Sequence, residues 1–362
     1  MSEITLVRVQ AAEQMIWSRR RMALTALMVG LIAAFAASLA LGSVSIPLGD
    51  ILTILRGGEG ARASWTTIVM DFRLPKALTA ALAGAALSVS GLLMQTLFRN
   101  PLADPYVLGI SSGASLGVAL VVLVTASAGV SLFSGLTLIG DAGLIVAASG
   151  GAALVMAVVA LIARRVRQTM TLLIIGLMIG YMTGSLVSIL MHFSIPDRIQ
   201  AYVNWTFGTF GSVTWTQMPL FAVAILLGLL TAALVAKPLN AFLLGEAYAR
   251  SMGVDVRRAR IAILAAAAIL AGAVTAFCGP IGFLGVAVPH LCRILLGTSD
   301  HRYLLPATAV LGAGLALIAD VIAQVPGAQV VLPLNAITAL IGAPIVLWVI
   351  LSRRNLRETF SA

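Results

Sequence analysis

The stretch Arg99-Asn-Pro-Leu-Ala-Asp-Pro-Tyr-Val-Leu-Gly-Ile-Ser-Ser-Gly-Ala-Ser-Leu-Gly117, RNPLADPYVLGISSGASLG, lies between two long apolar runs. Pro101 and Pro105 stop a helix from crossing it, because proline lacks the amide hydrogen and restricts the residue before it. Gly113 and Gly117, four residues apart, place two bare backbone positions on one face of the helix that follows, so a neighbouring helix can pack closely there. The segment therefore reads as a rigid turn between two spans. It is either a plain structural turn or a lip projecting into a passage.

The surrounding chain is hydrocarbon-rich: 60% of its 362 residues are hydrophobic, 10% are charged, and mean hydropathy is +1.06. Soluble domains carry about 25% charged residues, so this is an integral membrane protein of all-α class. A bilayer core about 30 Å thick needs ~20 apolar residues per helix. Ten segments qualify, at roughly 23–41, 75–97, 107–126, 142–163, 170–192, 215–236, 260–278, 281–296, 304–325 and 335–351. Arg8, Arg19, Arg20 and Arg21 precede the first, which is too long for a signal h-region and reads as an uncleaved span.

An even number of spans leaves both termini on one side. With that side cytoplasmic, 18 of the 23 lysines and arginines lie inside, and only Arg56, Arg62, Arg73, Lys76 and Arg198 lie outside. This is the asymmetry of the positive-inside rule. The pI of 10.7 thus records topology, and no nucleic-acid partner is expected. Gly279-Pro280 and Pro289 interrupt later spans, which is tolerated only where protein or a watery cavity covers the freed backbone. Gly176, Gly180 and Gly184 line one helix face, for close packing or for a passage wall.

Several chemistries are missing. The two lysines, Lys76 and Lys237, stand in no phosphate-binding loop, so the chain cannot be its own P-loop motor. Asp320 is the one acidic residue well inside a span, and it is expected to make a capping or packing contact near the outer end rather than to couple an ion. Cys278 and Cys292 read as core residues, and no catalytic or metal-binding set is visible. The longest inner loop, Lys237 to Arg260, contains a helix-permissive run from Leu243 to Met252 and a helix stop at Gly253. It is expected to lie beneath the membrane, as a solvated connector or a docking helix.

Four stretches together carry a family resemblance: Arg73 to Gly117, Leu244 to Arg260 (LGEAYARSMGVDVRRAR), Gly279 to Pro306 (GPIGFLGVAVPHLCRILLGTSDHRYLLP) and Leu332 to Ile350 (LPLNAITALIGAPIVLWVI). In order and spacing the chain resembles the permease subunits of binding-protein-dependent ABC importers for iron-siderophores, haem and vitamin B12. The resemblance implies the type II importer permease fold with ten transmembrane helices per subunit and one transmembrane domain over 1–362. It also implies a bacterial inner-membrane location and coupling helices at about 237–260. The partners it implies are a second copy forming a homodimer, two cytoplasmic ATPase subunits that bind ATP and Mg, and an extracytoplasmic substrate-binding protein. No cofactor or metal on this chain and no enzymatic activity of its own are implied.

Carried onto this sequence, the resemblance makes Gly245, Glu246, Ala249 and Gly253 the contacts to the ATPase. It puts Asn100 and Leu102 at a constriction, and Gln168, Thr169, Met170 and Thr171 at a second one. Met94 and Gln95, just above the first lip, are expected to line the passage or to be ordinary packing. Arg73 and Lys76 are expected to meet the binding protein, as opposite charges steer and register such encounters; interfacial snorkelling is the other reading. Gln324 stands where a family member has an arginine, so Arg62 or Arg198 could substitute in docking. His290 and His301 are expected to be structural, and His192 lies near the outer mouth. The expected cargo is an iron chelate, either ferric siderophore or haem, with a corrinoid as the alternative and ion-coupled transport through Asp320 as a distant third.

Overall fold

Helix α4 (Leu74–Leu97) is the element around which the others assemble: from Pro75 to Leu97 it is almost wholly buried. Its sequence is rich in alanine, glycine, serine and threonine, which suits it to the centre of a bundle. Lipid tails are as apolar as leucine, so helices in a membrane associate through close packing rather than through hydrophobic exclusion. A Cβ on Gly84 would lie 2.2 Å from the Gly312 carbonyl oxygen, and one on Gly91 would lie 1.8 Å from the Gly285 oxygen. Backbone meets backbone at both crossings.

The computed structural model describes residues 3–58, 60–124, 141–163, 165–166, 169–327 and 330–352, and among these all regular structure is helical. In order, α1 is Glu3–Ala40, α2 Leu48–Leu55 and α3 Ala63–Thr67, which runs through a π turn (Ile68–Arg73) into α4. After the lip come α5 (Ile110–Ala119, continued by a π turn to Val124), α6 (Asp141–Ala163), α7 (Thr169–His192) and α8 (Pro196–Thr206). Then follow α9 (Met218–Leu234), α10 (Ala236–Leu243), α11 (Glu246–Ser251), α12 (Val256–Cys278), α13 (Leu284–Leu296), α14 (His301–Ala323) and α15 (Leu334–Ser352). Helices α1, α9, α12, α13 and α14 surround α4, while α5 packs on α6 and α7.

Among the described residues each of the ten expected spans falls largely on helix, with 125–126 of the third outside them, and the helices differ in length. Among the described residues six helices are long and apolar enough to cross a bilayer, and α9 with α10, bent by 53°, makes up to seven. The other three lie on shorter apolar helices, Ile110–Leu123, Leu284–Leu296 and Leu334–Trp348. The third expected span is shortened because Pro105–Leu108 form a 3-10 turn and Gly109, at φ +77°, opens α5. The eighth starts late because the chain is extended and turned from Gly279 (φ +78°) to Phe283 (φ +69°).

Several amides of these irregular segments are met by partners from elsewhere in the chain. Gly282 N–H donates to Asn335 Oδ1 at 3.1 Å, Ile281 N–H to the Tyr106 hydroxyl at 3.3 Å, and Thr209 N–H to the Cys278 carbonyl at 2.8 Å. Pro289, inside α13, leaves the Gly285 carbonyl four residues earlier without its helical donor. The Gln95 amide supplies one, donating to Gly285 O at 3.4 Å and Val286 O at 3.2 Å.

The glycine spacing is used unevenly. Cβ atoms on Gly113 and Gly117 would meet the Gly151 and Ala147 carbonyl oxygens at 2.5 and 2.1 Å, so α5 and α6 pack as closely as the sequence implies. On α7 only Gly176 has that role, 2.6 Å from Val107 O; Gly184 faces open space. The inner insert also differs from expectation. The single helix from Leu243 to Met252 is broken, because Gly245 adopts φ +105° between α10 and α11, while Gly253 at φ +81° does end α11.

Gly91→Ala should lower the thermal unfolding midpoint of the detergent-purified protein, with an overpacking cost of about 1–3 kcal/mol or more. Gly150→Ala, where a Cβ meets nothing within 4 Å, should leave the midpoint unchanged or slightly raised. Equal behaviour of the two would remove the backbone crossing as the organising contact.

Candidate gate, coupling segment and outer face

The lip begins where α4 ends. Arg99 takes a left-handed φ of +47°, turning the chain, and Asn100 N–H donates back to Gln95 O at 3.1 Å. Asn100 Oδ1 accepts from Leu102 N–H at 2.9 Å, and Asp104 Oδ1 accepts from Tyr106 N–H at 2.9 Å, so two side chains brace the two proline-flanked bends. His290 on α13 fastens the lip from behind: its Nε2 lies 2.8 Å from Pro101 O. Because a carbonyl only accepts, that nitrogen carries the proton. Burial pushes the Asp104 carboxyl up to about 6, against the lowering effect of the Tyr106 amide.

Leu102 stands out from this braced turn, 48% exposed. Met94 and Gln95 do not line a passage: both are fully buried, and Gln95 Oε1 accepts from Arg293 Nη1 at 2.6 Å while its amide serves α13. Proline at 289 created the demand that draws Gln95 inward, which corrects the lining role. Of the second expected constriction, Gln168 lies outside the described residues and Thr169 opens α7. Met170 is 57% exposed and Thr171 is half-buried.

In the inner insert, Glu246 Oε1 pairs with Arg260 Nη2 at 2.6 Å, and Arg260 Nη1 donates to Val166 O at 3.1 Å. The carboxylate thus ties α11 to the start of α12 and to the connection between α6 and α7. Ala249 is fully buried, and Gly245 is buried too. Both hold α11 against the body and are not presented outward, a correction to their reading as contacts. The face that is presented carries Leu244, Ala247, Tyr248 and Met252, together with Gly253. Sequence reading passed over those large side chains, although three of them are unusual on a polar insert.

Helix α10 reaches the lip through a chain of hydrogen bonds. Asn240 Nδ2 donates to Asp300 Oδ1 at 2.7 Å, which fixes the amide so that its Oδ1 accepts from His301 N–H at 2.9 Å and from His301 Nδ1–H at 2.8 Å. His301 Nε2 then lies 2.8 Å from Thr96 Oγ1, one residue before the end of α4. Burial alone would raise the Asp300 carboxyl, but the Arg302 amide, Asn240 and the charges of Arg302 and His301 hold it below its ordinary value.

At the other end, Arg73 is buried. Its guanidinium donates to Leu39 O at 2.7 Å and Ala40 O at 3.0 Å, with a further short contact to Val44 O, closing off carbonyls that the end of α1 leaves open. It is therefore engaged in structure rather than displayed. Lys76 Nζ pairs with Asp320 Oδ1 at 3.0 Å, and Gln324 Nε2 donates to Asp320 Oδ2 at 2.7 Å. Asp320 is thus tied down on both oxygens, as the contact expected of it near the outer end and not as an open ion site. Arg73, Lys76 and Gln324 border a cavity of about 260 Å³ with Ser43 and Phe72. Arg62 lies over the Trp65 ring and Arg198 bonds Leu123 O.

Helix α7 presents one further surface. Among the described residues only Leu172, Gly176, Thr183 and Val187 of α7 are buried, leaving Met178, Tyr181, Met182, Ser185 and Ser188 on a broad exposed face. His192 ends that helix, edge-on to Phe193. Among the described residues no group of three histidines, cysteines, aspartates or glutamates is placed to hold a metal.

Comparison with known proteins agrees with this architecture. The FecCD transport family matches residues 30–352. The hemin transport system permease protein HmuU of Yersinia pestis is 37% identical over 334 residues, covering 92% of this chain and 97% of that protein. The vitamin B12 import system permease protein BtuC of Shigella boydii is 35% identical over 352 residues, 97% of this chain and all of that one. An ABC transporter permease protein of Bacillus subtilis, YvrB, is 37% identical over 315 residues, covering 84% of this chain and 86% of that protein. Among solved structures, an inward-facing conformation of a metal-chelate type ABC transporter superposes with a TM-score of 0.78 at 28% identity, over 91% of this chain and 98% of that one.

Lys76→Met should cost about 2 kcal/mol, since it removes the cation from a buried charged pair. The double variant Lys76→Met/Asp320→Leu should recover most of that loss, as an apolar pair avoids the desolvation cost. Thermal unfolding of both in detergent checks this, and a double variant no better than the single would show that the pair is not the source of the loss.

Proposed function

The chain belongs to the FecCD transport family, a multi-pass membrane permease family, and on that premise we propose that it is the membrane subunit of an ATP-driven importer of iron chelates. Two copies of the chain enclose the passage, with the exposed α7 faces turned inward. Two separate ATPase subunits bind ATP and Mg beneath them, and both termini lie in the cytoplasm. A substrate-loaded binding protein docks on the outer face. There, the rim of the cavity around Lys76 and Gln324 offers it polar groups, while Arg73 acts by keeping the end of α1 in place.

The observation that carries this reading is the chain of contacts from Asn240 through His301 to Thr96. It joins the insert expected to meet the ATPase to the helix that ends in the lip. A push on α10 and α11 is thereby delivered to α14 and α4, and from there to Asn100 and Leu102. The docking face on this reading is Leu244, Ala247, Tyr248, Met252 and Gly253, with Glu246 holding that face in register through Arg260. Movement of the lip, together with Met170 and Thr171 at the start of α7, opens and closes the inner end of the passage.

An iron chelate, ferric siderophore or haem, is the proposed cargo. It is supported by the match to a hemin permease and by the likeness to a metal-chelate type transporter. Corrinoid import is the second reading, favoured by a match of similar identity over nearly the whole chain to vitamin B12 permeases. Proteoliposomes containing the chain, its ATPase and its binding protein would be offered haem, a ferric siderophore and cyanocobalamin in competition. Uptake of cyanocobalamin alone would overturn the iron-chelate assignment. Uptake without ATPase that collapses with the proton gradient would overturn the importer reading.

Glu246→Arg should insert and assemble normally yet abolish ATP-driven uptake, because like charges at 246 and 260 would push α11 from its seat. Transport equal to that of the unaltered chain would remove Glu246 from the coupling segment.

A further inference from the structure

Helix α12 packs against α6 on one side and α9 on the other, and between those two walls it presents half-buried Ala265, Ala268, Gly272 and Ala273 beside exposed Ile269. Ala153, Ala157 and Ala160 of α6, Ala224 of α9, and Ala268 and Gly272 of α12 line an apolar groove of about 560 Å³. Leu220 on α9 lines the groove and is exposed, and so are Leu154, Val158 and Leu161 elsewhere on α6 and Val223 and Leu227 on α9. A Cβ on Gly272 would come 3.9 Å from Ala152, so the helices stay close along its length.

The same two helix faces lead to a second, polar cavity. On α12 the stripe runs from Gly272 and Ala268 through Ala265 to Ile261 and Arg257, at steps of three and four residues that keep one face. On α6 it runs from Ala153 through Ala157 and Ala160 to Ala163. Their inner ends open on a cavity of about 630 Å³ lined by Ala163, Val166, Arg250, Asp255, Arg257 and Arg260. Asp255, its one carboxylate, is engaged with Arg258 at 3.1 Å and caps α12. Among the described residues neither Arg250 nor Arg257 makes an ion pair.

We propose that this combined site binds one anionic phospholipid of the inner leaflet, its phosphate at Arg250 and Arg257 and an acyl chain along the α6–α9–α12 groove. Basic pockets between helices on the cytoplasmic side suit anionic head groups. The apolar part reaches up to Ser149 and Phe277, far from any water-soluble anion or soluble subunit. A second copy is expected elsewhere, because the proposed assembly turns the exposed α7 faces, not this face, toward the partner copy. The site lies beside the Glu246–Arg260 bridge, so a bound lipid would brace the α6–α7 connection against α11. The proposal concerns this face alone and holds whatever the cargo.

The full chain would be held in detergent micelles doped with phosphatidylglycerol or with phosphatidylcholine, and retained lipid counted by native mass spectrometry. Phosphatidylglycerol should be retained at one per chain and outlast phosphatidylcholine. Arg250→Ala/Arg257→Ala should cut retention about tenfold with an unchanged thermal midpoint. Independently, Ala157→Phe should reduce retention of the same lipid by narrowing the groove. Equal retention of both lipids, unaltered by the arginine changes, would overturn the proposal. So would displacement by inorganic phosphate, which would mark a soluble-anion site, or a disulfide between two chains each carrying Ala157→Cys, which would give the face to a second copy. Loss of ATPase co-purification with an unchanged lipid count would assign the arginines to that partner instead.

Discussion

A peptide carbonyl or amide left open in hydrocarbon costs several kcal/mol, and this chain repeatedly breaks its helices where hydrocarbon surrounds the bundle. Everything distinctive about the structure follows from how those groups are met. The Gly279–Phe283 turn is satisfied by Tyr106 from the lip side, by Asn335 from α15, and by a backbone pairing between Thr209 and Cys278. Pro289 frees a carbonyl that Gln95 must reach. Each repair comes from a different segment of the chain, so the breaks act as joints that lock the bundle together.

The same kind of bonding makes the lip a unit. Its internal bends are braced by Asn100 and Asp104, and its outward connections are discrete: Pro101 to His290, the Tyr106 hydroxyl to Ile281 and Thr275, and the end of α4 to His301. A segment stiff within itself and held at discrete points moves as a unit when those points move. That is the property a gate driven from a distant helix requires.

Charge inside the protein is treated just as strictly. Arg73 closes the end of α1, Lys76 and Gln324 hold Asp320, Arg293 meets Gln95, and Arg260 meets Glu246. Positions that a sequence comparison assigns to docking or coupling therefore also have structural partners within the chain. Conversely, side chains that face outward on the insert, such as Tyr248 and Met252, carry no ionic signature and are easily overlooked.

Membrane residence, the approximate positions of the apolar helices, the turn between two prolines and the helix stop at Gly253 were all legible in the sequence. They depend on hydropathy and on local backbone preference, which neighbours along the chain are enough to set. The break at Gly245 was not legible, nor was the burial of Ala249 and Gln95, the capture of Arg73 by α1, or the unequal use of Gly176 and Gly184. Those were decided by contacts between residues from 14 to 198 positions apart, as in Glu246 with Arg260 and Gln95 with Arg293. Local pattern says that a polar group must find a partner in hydrocarbon, but only the packed helices determine which partner lies within 3 Å.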